Sequence, residues 1–318
     1  MKKAFLLLAL VSLGFLTFAQ SAYSQTTNSQ FSLGIYPPIL EISANPPSLI
    51  EADIQIQNFS GLPQNLGIIF KSFRQDSADG TLRYINEDAI EGPDSLILDR
   101  IKVYDGNPIS ELNLEPFESK DLKLKINLDK DSPRGDYYFS VIFISTLSGS
   151  EQVSGSDIPG GIGTNVILSV GPKGKVSGKI REFSTPLFLT SGPVPITLLL
   201  ENNGDHYVLP QGKVIIRDML GREAGEVNIL PRYVLSKSSR YMVDSDQTSL
   251  SSDHAVLIWP KRFLFGVYTA HANIKLSEDG PVIESKTGFI ALPLYLMFAV
   301  SFFAFVIIGI YLRVKRKI

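Results

Sequence analysis

Residues 121–128 read DLKLKINL. Successive side chains of an extended chain point to opposite faces, so Leu122, Leu124, Ile126 and Leu128 share one face and Lys123, Lys125 and Asn127 the other. This is the pattern of a half-buried strand, and it recurs. ADIQIQN (52–58) sets Ile54 and Ile56 on one side; LGIIFKSF (66–73), YYFSVIFIST (137–146) and TNVILSVG (164–171) are β-branched and aromatic runs. Proline, glycine, asparagine and aspartate separate them. No ten-residue stretch in 31–290 carries helical amphipathicity, so turn-separated strands predict antiparallel sandwiches rather than a parallel α/β sheet.

The glycine-rich segment GPKGKVSG (171–178) marks a boundary, and strand patterning resumes beyond it in VPITLLLEN (194–202), GKVIIRD (212–218), EAGEVNIL (223–230), SSRYMV (238–243), HAVLIW (254–259) and VYTAHANIKL (267–276). The two halves share a grammar. Each has an early strand ending in asparagine before a turn, at Asn58 and Asn202. Each later opens a long strand with Gly-x-Tyr, at Gly135-Asp136-Tyr137 and Gly266-Val267-Tyr268. The first half carries an extra insertion near 76–108. The expected fold is therefore all-β: two tandem Ig-like antiparallel sandwiches over 31–171 and 172–290.

The ends read differently. Residues 1–24 have Lys2 and Lys3 before an apolar run, then Ala22 and Ser24, the form of a signal peptide cleaved before Gln25; 25–30 are a polar lead-in. Residues 291–312 hold no charge and are followed by RVKRKI (313–318). A stretch of that length at about 1.5 Å per residue matches a ~30 Å hydrocarbon core, so a single transmembrane helix is expected there. Basic residues stay inside, which puts 25–290 on the extracytoplasmic side of a bacterial cell membrane and 313–318 in the cytoplasm. The 318-residue chain has a formal net charge of −2, which becomes −8 for 25–290 once the basic residues of both ends are set aside. That balance excludes a nucleic-acid partner. With no cysteine there is no disulfide, thiolate metal site or thiol nucleophile.

The order of parts, with FSLGIYPPILEISANPP leading to IQIQNFSG, then LEPFESKDLKLKINL, RGDYYFSVIFIS, GTNVILSVG, LENNGDHYVLPQGKVIIRDMLGREAGEVNIL and FGVYTAHANIKL, resembles the WxL-interacting cell-surface proteins of Gram-positive bacteria. That resemblance implies two Ig-like domains on a C-terminal anchor, with peptidoglycan, host or matrix ligands and secreted WxL proteins as partners. It brings no binding residue with it.

No catalytic, cofactor-binding or metal-ligating residue stands out. Arg134-Gly135-Asp136 spells an adhesion tripeptide, but it follows Ser132-Pro133 and runs straight into a strand, which is turn chemistry. Asp76, Asp79 and Gly80 make an ordinary D-G hairpin rather than a calcium loop; Asp129, Asp131 and Asp136 are no better spaced, and Glu87, Asp88 and Glu91 form a solvated acidic loop. Gly160-Gly161-Ile162-Gly163 precedes a strand, not the helix a phosphate loop needs. The histidines, His206, His254 and His271, are scattered and no G-x-S-x-G elbow accompanies them. Trp259 lies in an aromatic cluster with Phe263 and Phe265 and reads as packing.

The expected function is thus a non-enzymatic surface protein that binds an envelope component or partner protein through its sandwich domains, with the loop 149–163 as first contact region. Two alternatives stay open. A peptidoglycan or carbohydrate module needs a solvent-facing row among Tyr36, Tyr84, Tyr104 and Trp259. An assembly chaperone acting by strand addition needs an unpaired sheet edge.

Overall fold

The computed structural model describes residues 32–85, 93–146, 160–172, 174–245 and 257–315. The expected signal segment, the acidic loop at Glu87–Glu91, His254, most of 149–163 and the last three residues lie outside them.

The first sandwich is built from β1 (Leu33–Tyr36), β2 (Ile39–Ala44), β3 (Ser48–Asn58), β4 (Gln64–Gln75), β5 (Leu82–Tyr84), β6 (Ile101–Asp105), β7 (Asn107–Ile109), β8 (Glu111–Leu114), β9 (Ser119–Leu128), β10 (Gly135–Ser145) and β11 (Gly161–Val170). One sheet runs β1-β3-β9-β6-β7. The facing sheet runs β2-β11-β10-β4-β5, with β8 also on β4. DLKLKINL lies in β9 and faces β3 with Ile54 opposite Leu122 and Ala52 opposite Leu124. Leu122, Leu124, Ile126 and Leu128 are at most 1% exposed. Each such burial stabilises by about 1.5–3 kcal/mol relative to the exposed side chain. They meet Tyr137, Phe139, Val141 and Phe143 of β10 and Val166 and Leu168 of β11 in one core.

The second sandwich uses β12 (Gly178–Ser184), β13 (Phe188–Leu189), β14 (Val194–Asn202), β15 (Gln211–Asp218), β16 (Glu223–Asn228), β17 (Ser239–Tyr241), β18 (Leu257–Trp259), β19 (Gly266–Lys275) and β20 (Val282–Ala291). Its sheets are β12-β14-β17, with β18 on the other end of β14, and β13-β20-β19-β15-β16. Trp259, 4% exposed, packs edge-on against Tyr268 at 5.7 Å inside the core.

Two pairings correct the antiparallel expectation. β2 runs parallel to β11, and β13 runs parallel to β20. The cause is a strand that changes sheets: β1 pairs with β3, then the chain crosses at Pro37-Pro38 and β2 joins β11. β20 (VIESKTGFIA) supplies a full strand where no strand was expected, since the polar members of its alternation hide the pattern. Within the insertion near 76–108 lie β5, a six-residue helix at Pro93–Leu98 and β6.

The transmembrane helix expected at 291–312 is also corrected. Ala291 ends β20, and the Leu292 N–H donates to the Leu189 carbonyl at 2.8 Å, so these residues belong to the second sandwich. The C-terminal helix is Leu294–Lys315, with Phe298, Phe302, Phe303, Phe305 and Ile307 exposed. Among the described residues no helix is long and apolar enough to cross a membrane. The single-pass placement in a cell membrane, with 25–290 outside and a cytoplasmic tail, loses its support with the span.

Candidate functional site

The twin asparagines identify one end of the first sandwich. Asn58, fully buried, donates through Nδ2 to the Leu62 and Glu115 carbonyls at 2.8 and 3.0 Å and accepts from Ser60 N–H at 2.9 Å. It thereby folds the 59–63 turn onto the 115–118 turn. At this end β3 stops, β4 and β9 start, β10 stops, and β1 and β11 start. Phe59, Leu62 and Phe117 stand there 53%, 50% and 67% exposed.

Among the described residues, the same end leaves a sheet edge open. β10 and β11 pair over ten positions, from Gly135 with Val170 to Ile144 with Gly161. Ser145 N–H donates to Gly160 O at 2.9 Å, which fixes the phase of the ladder: Ile162, Thr164 and Val166 turn their main-chain groups toward β10, and Gly161, Gly163 and Asn165 turn theirs outward. Asn165 N–H reaches Pro38 O at 3.0 Å, and β2 then covers β11 from Asn165 to Val170. The crossover is closed by Thr164 Oγ1 donating to Pro37 O at 2.6 Å. Above it, the outward N–H and C=O groups of Gly161 and Gly163 face no strand among the described residues.

Glycine is required at this edge. A Cβ on Gly163 would lie 2.9 Å from Val141 O and 3.1 Å from Ile142 Cγ1. The half-buried Ile142 therefore lies across the glycine backbone. Close to this edge stands β1, which pairs only with β3 among the described strands. Leu33 and Ile35 of β1 and Ile162 of β11 belong to the core but remain partly exposed, whereas Ile56, Val166 and Leu168 deeper in are at 0%. Among the described residues the sandwich thus presents a seam here, flanked by β1 and the upper end of β11, with apolar residues at its base.

A second cluster joins the two sandwiches. The Asp136 side chain is fully buried, and its two oxygens are each held from both sides. Oδ1 accepts from Ser169 Oγ at 2.7 Å and from His206 Nδ1 at 2.6 Å; Oδ2 accepts from Tyr138 OH at 3.1 Å and from the Tyr207 N–H at 2.6 Å. Tyr207 OH and Tyr233 OH both donate to the Glu41 carboxylate of β2. Phe73, Tyr138 and Ile167 of the first sandwich pack with Tyr207 and Leu235 of the second beneath these bonds. Burial, with the nearby carboxylates adding to it, raises the Tyr138, Tyr207 and Tyr233 hydroxyls above the usual phenol range. A cleft of about 660 Å³ opens beside the junction, lined in part by Glu41, Lys175, His206, Tyr207 and Asp279.

Sequence-level candidates are relocated by this geometry. Asp136 of the Arg-Gly-Asp run is a junction residue with no exposed side chain, and so is not presented to a receptor. The Asp76–Gly80 hairpin docks on the second sandwich: Tyr241 N–H donates to Ala78 O at 2.7 Å, and Ser238 Oγ bonds Gln75 Oε1 at 3.0 Å. Asp79 is occupied by Ser77 Oγ and the Thr81 N–H, bonds that hold its carboxyl at about 2, and Asp76 pairs with Arg83 at 2.9 Å. Among the described residues no group of three or more His, Asp or Glu is placed to hold a metal. Ser169, Asp136 and His206 make no nucleophile relay, since serine and histidine both bond the same carboxylate and the hydroxyl has no base on it. His271 lies on the outward face of β19 opposite Lys286. The aromatic row needed for a carbohydrate platform is not formed: Trp259 is buried in the second core, Tyr84 packs edge-on to Phe73, Tyr104 carries Lys125 over its ring, and Tyr36 stands 70% exposed on β1.

No protein-family model matches the sequence, and no curated protein matches it. Among solved structures, the chain is similar to the class 5 fimbriae chaperone CfaA, with 12% identity over 82% of this chain and 100% of that one at a TM-score of 0.40. It is similar to the E. coli chaperone DraB, with 13% identity over 80% and 98% at 0.36. It is also similar to a chain of the Salmonella enterica SafA pilin–SafB chaperone complex, with 11% identity over 80% and 96% at 0.35.

Proposed function

We propose that this protein binds an extended segment of a partner polypeptide by strand addition along the seam between β1 and the upper end of β11, as a non-catalytic assembly or chaperone module. The observation that carries the reading is the pair of outward backbone units at Gly161 and Gly163, unpaired by any described strand and set beside the partly exposed Leu33, Ile35 and Ile162. An unpaired edge is a template for another chain, and proteins that do not use one blunt it with charge, proline or a covering element. Here glycine holds the edge and isoleucine flanks it. Main-chain bonds would supply affinity, and alternate side chains of the incoming segment would fill the seam.

The test is binding of short peptides alternating valine and threonine, followed by fluorescence anisotropy, against peptides of the same length rich in charge. Gly161→Pro removes an outward donor and no β10–β11 ladder bond. Ile162→Lys sets a charge at the seam while its stem stays in the apolar layer. Both substitutions should abolish binding with the fold intact. Equal affinity for wild type and Gly161→Pro would overturn the reading.

A further inference from the structure

The segment between the sandwiches, GPKGKVSG at 171–178, is rich in glycine and does not by itself fix an angle between two domains. Something else must set it. The arrangement at Asp136 meets that need in an unusually specific way. Each of its two carboxylate oxygens is bonded by one donor from each sandwich: Ser169 Oγ and His206 Nδ1 on Oδ1, Tyr138 OH and the Tyr207 N–H on Oδ2. Two bonds from the first sandwich fix the carboxylate plane. Two bonds from adjacent residues of the second sandwich, landing on different oxygens, block rotation about either one. We infer that Asp136, with the docked Asp76–Gly80 hairpin as a second tie, fixes the angle between the two sandwiches, so that the chain moves as one rigid elbow and loss of the Asp136 bonds alone loosens it. This holds whatever occupies the seam.

The donors are themselves anchored in the second core. Asn202, 1% exposed, donates from Nδ2 to the His206 carbonyl at 2.8 Å and to the Val234 and Leu235 carbonyls at 3.0 Å. The loop carrying His206 and Tyr207 is thereby tied to the end of β14 and to the 234–235 segment. The Ser236 N–H in turn donates to Tyr138 OH at 3.1 Å. A tilt of one sandwich must therefore break bonds on both oxygens of a side chain that has no exposed surface. Glu41 bonds only through the long side chains of Tyr207 and Tyr233, which can swing, and so it supports the joint without fixing the angle.

The chain contains no cysteine, so Glu111→Cys on the first sandwich and Glu223→Cys on the second, both exposed, give two unique labelling sites. Electron–electron distance measurement between spin labels there should give one narrow distribution for the parent protein. Asp136→Ala should broaden it several-fold, while the fluorescence of the single buried tryptophan, Trp259, reports an unchanged second core. His206→Ala, which alters only a loop residue of the second sandwich, should broaden it in the same sense and decides the matter if Asp136→Ala does not fold. A narrow, unshifted distribution in a folded Asp136→Ala or His206→Ala protein would overturn the inference.

Discussion

Replacing Asn202 by alanine should cost the protein far more than its single amide would indicate. Asn202 lies at the end of β14 with 1% exposure. Its Nδ2 group serves the carbonyls of His206, Val234 and Leu235, and its Oδ1 accepts the Gly204 N–H at 2.9 Å. Two N–H donors shared among three carbonyls, with the one bond accepted by Oδ1, amount to three bonds at about 1 kcal/mol net each; with the desolvation penalty on those groups that stay buried and unpaired, the loss is about 3–5 kcal/mol. Urea unfolding followed by Trp259 fluorescence reads it directly, because that ring sits in the same sandwich. Asn203→Ala, at the exposed next position, serves as the control and should stay within about 0.5 kcal/mol. The slope of the transition should be unchanged, so the loss appears as a lower midpoint. A loss below about 1 kcal/mol for Asn202→Ala would mean that water replaces the amide at no cost, and the picture of a sealed asparagine anchor would be wrong.

Other outcomes follow from particular contacts. The Tyr138, Tyr207 and Tyr233 hydroxyls are raised, chiefly by burial, and Tyr137 is raised to about 12 by burial with Asp94 adding to it. A phenol whose folded value exceeds its unfolded value near 10 contributes stability that is complete below about pH 10 and is lost as pH rises through the folded values. Unfolding midpoints should therefore hold up to about pH 10 and fall above it; a flat profile between about pH 10 and 12 would contradict the buried phenols. Gly225→Ala would set a Cβ 2.3 Å from Trp259 Nε1, so the ring must shift and its emission should move to the red; an unchanged spectrum would show that the backbone yields instead. Leu124→Ala, at the centre of the first core, should cost about 2–5 kcal/mol in a calorimetric or denaturant measurement.

Much of the scaffold was legible because its strands are half-buried and alternate. Ile54, Ile56, Leu122, Leu124, Ile126 and Leu128 are buried as their period-two spacing requires. The repeated asparagines were visible as punctuation, and the structure gives them a cause: Asn58 and Asn202 each close a turn with amide bonds to main-chain carbonyls. What the pattern could not carry is long range. Nothing local announces that Asp136 meets His206 and Tyr207, 70 and 71 residues away, or that Glu41 meets Tyr207, 166 residues away. Parallel pairing of β2 with β11 needs a strand to change sheets, and the hydrophobic period is the same on either side of the change. The C-terminal stretch has the length, the lack of charge and the basic flank of a span, although its first residue finishes a strand. The seam is half legible: in the sequence Gly161 and Gly163 read as loop glycines, and only the ladder phase shows that both face outward.

The central claim is that the Gly161–Gly163 edge accepts another strand. Amide hydrogen exchange resolved at single residues tests it most directly, with the protein alone and saturated with a peptide alternating valine and threonine. The account predicts that the outward amides of Gly161 and Gly163 exchange freely in the protein alone and become protected in the complex. The amides of Ile162 and Thr164, already bonded to β10, should be protected in both states. A complex in which Gly161 and Gly163 exchange as fast as in the free protein, with protection appearing elsewhere, would contradict it.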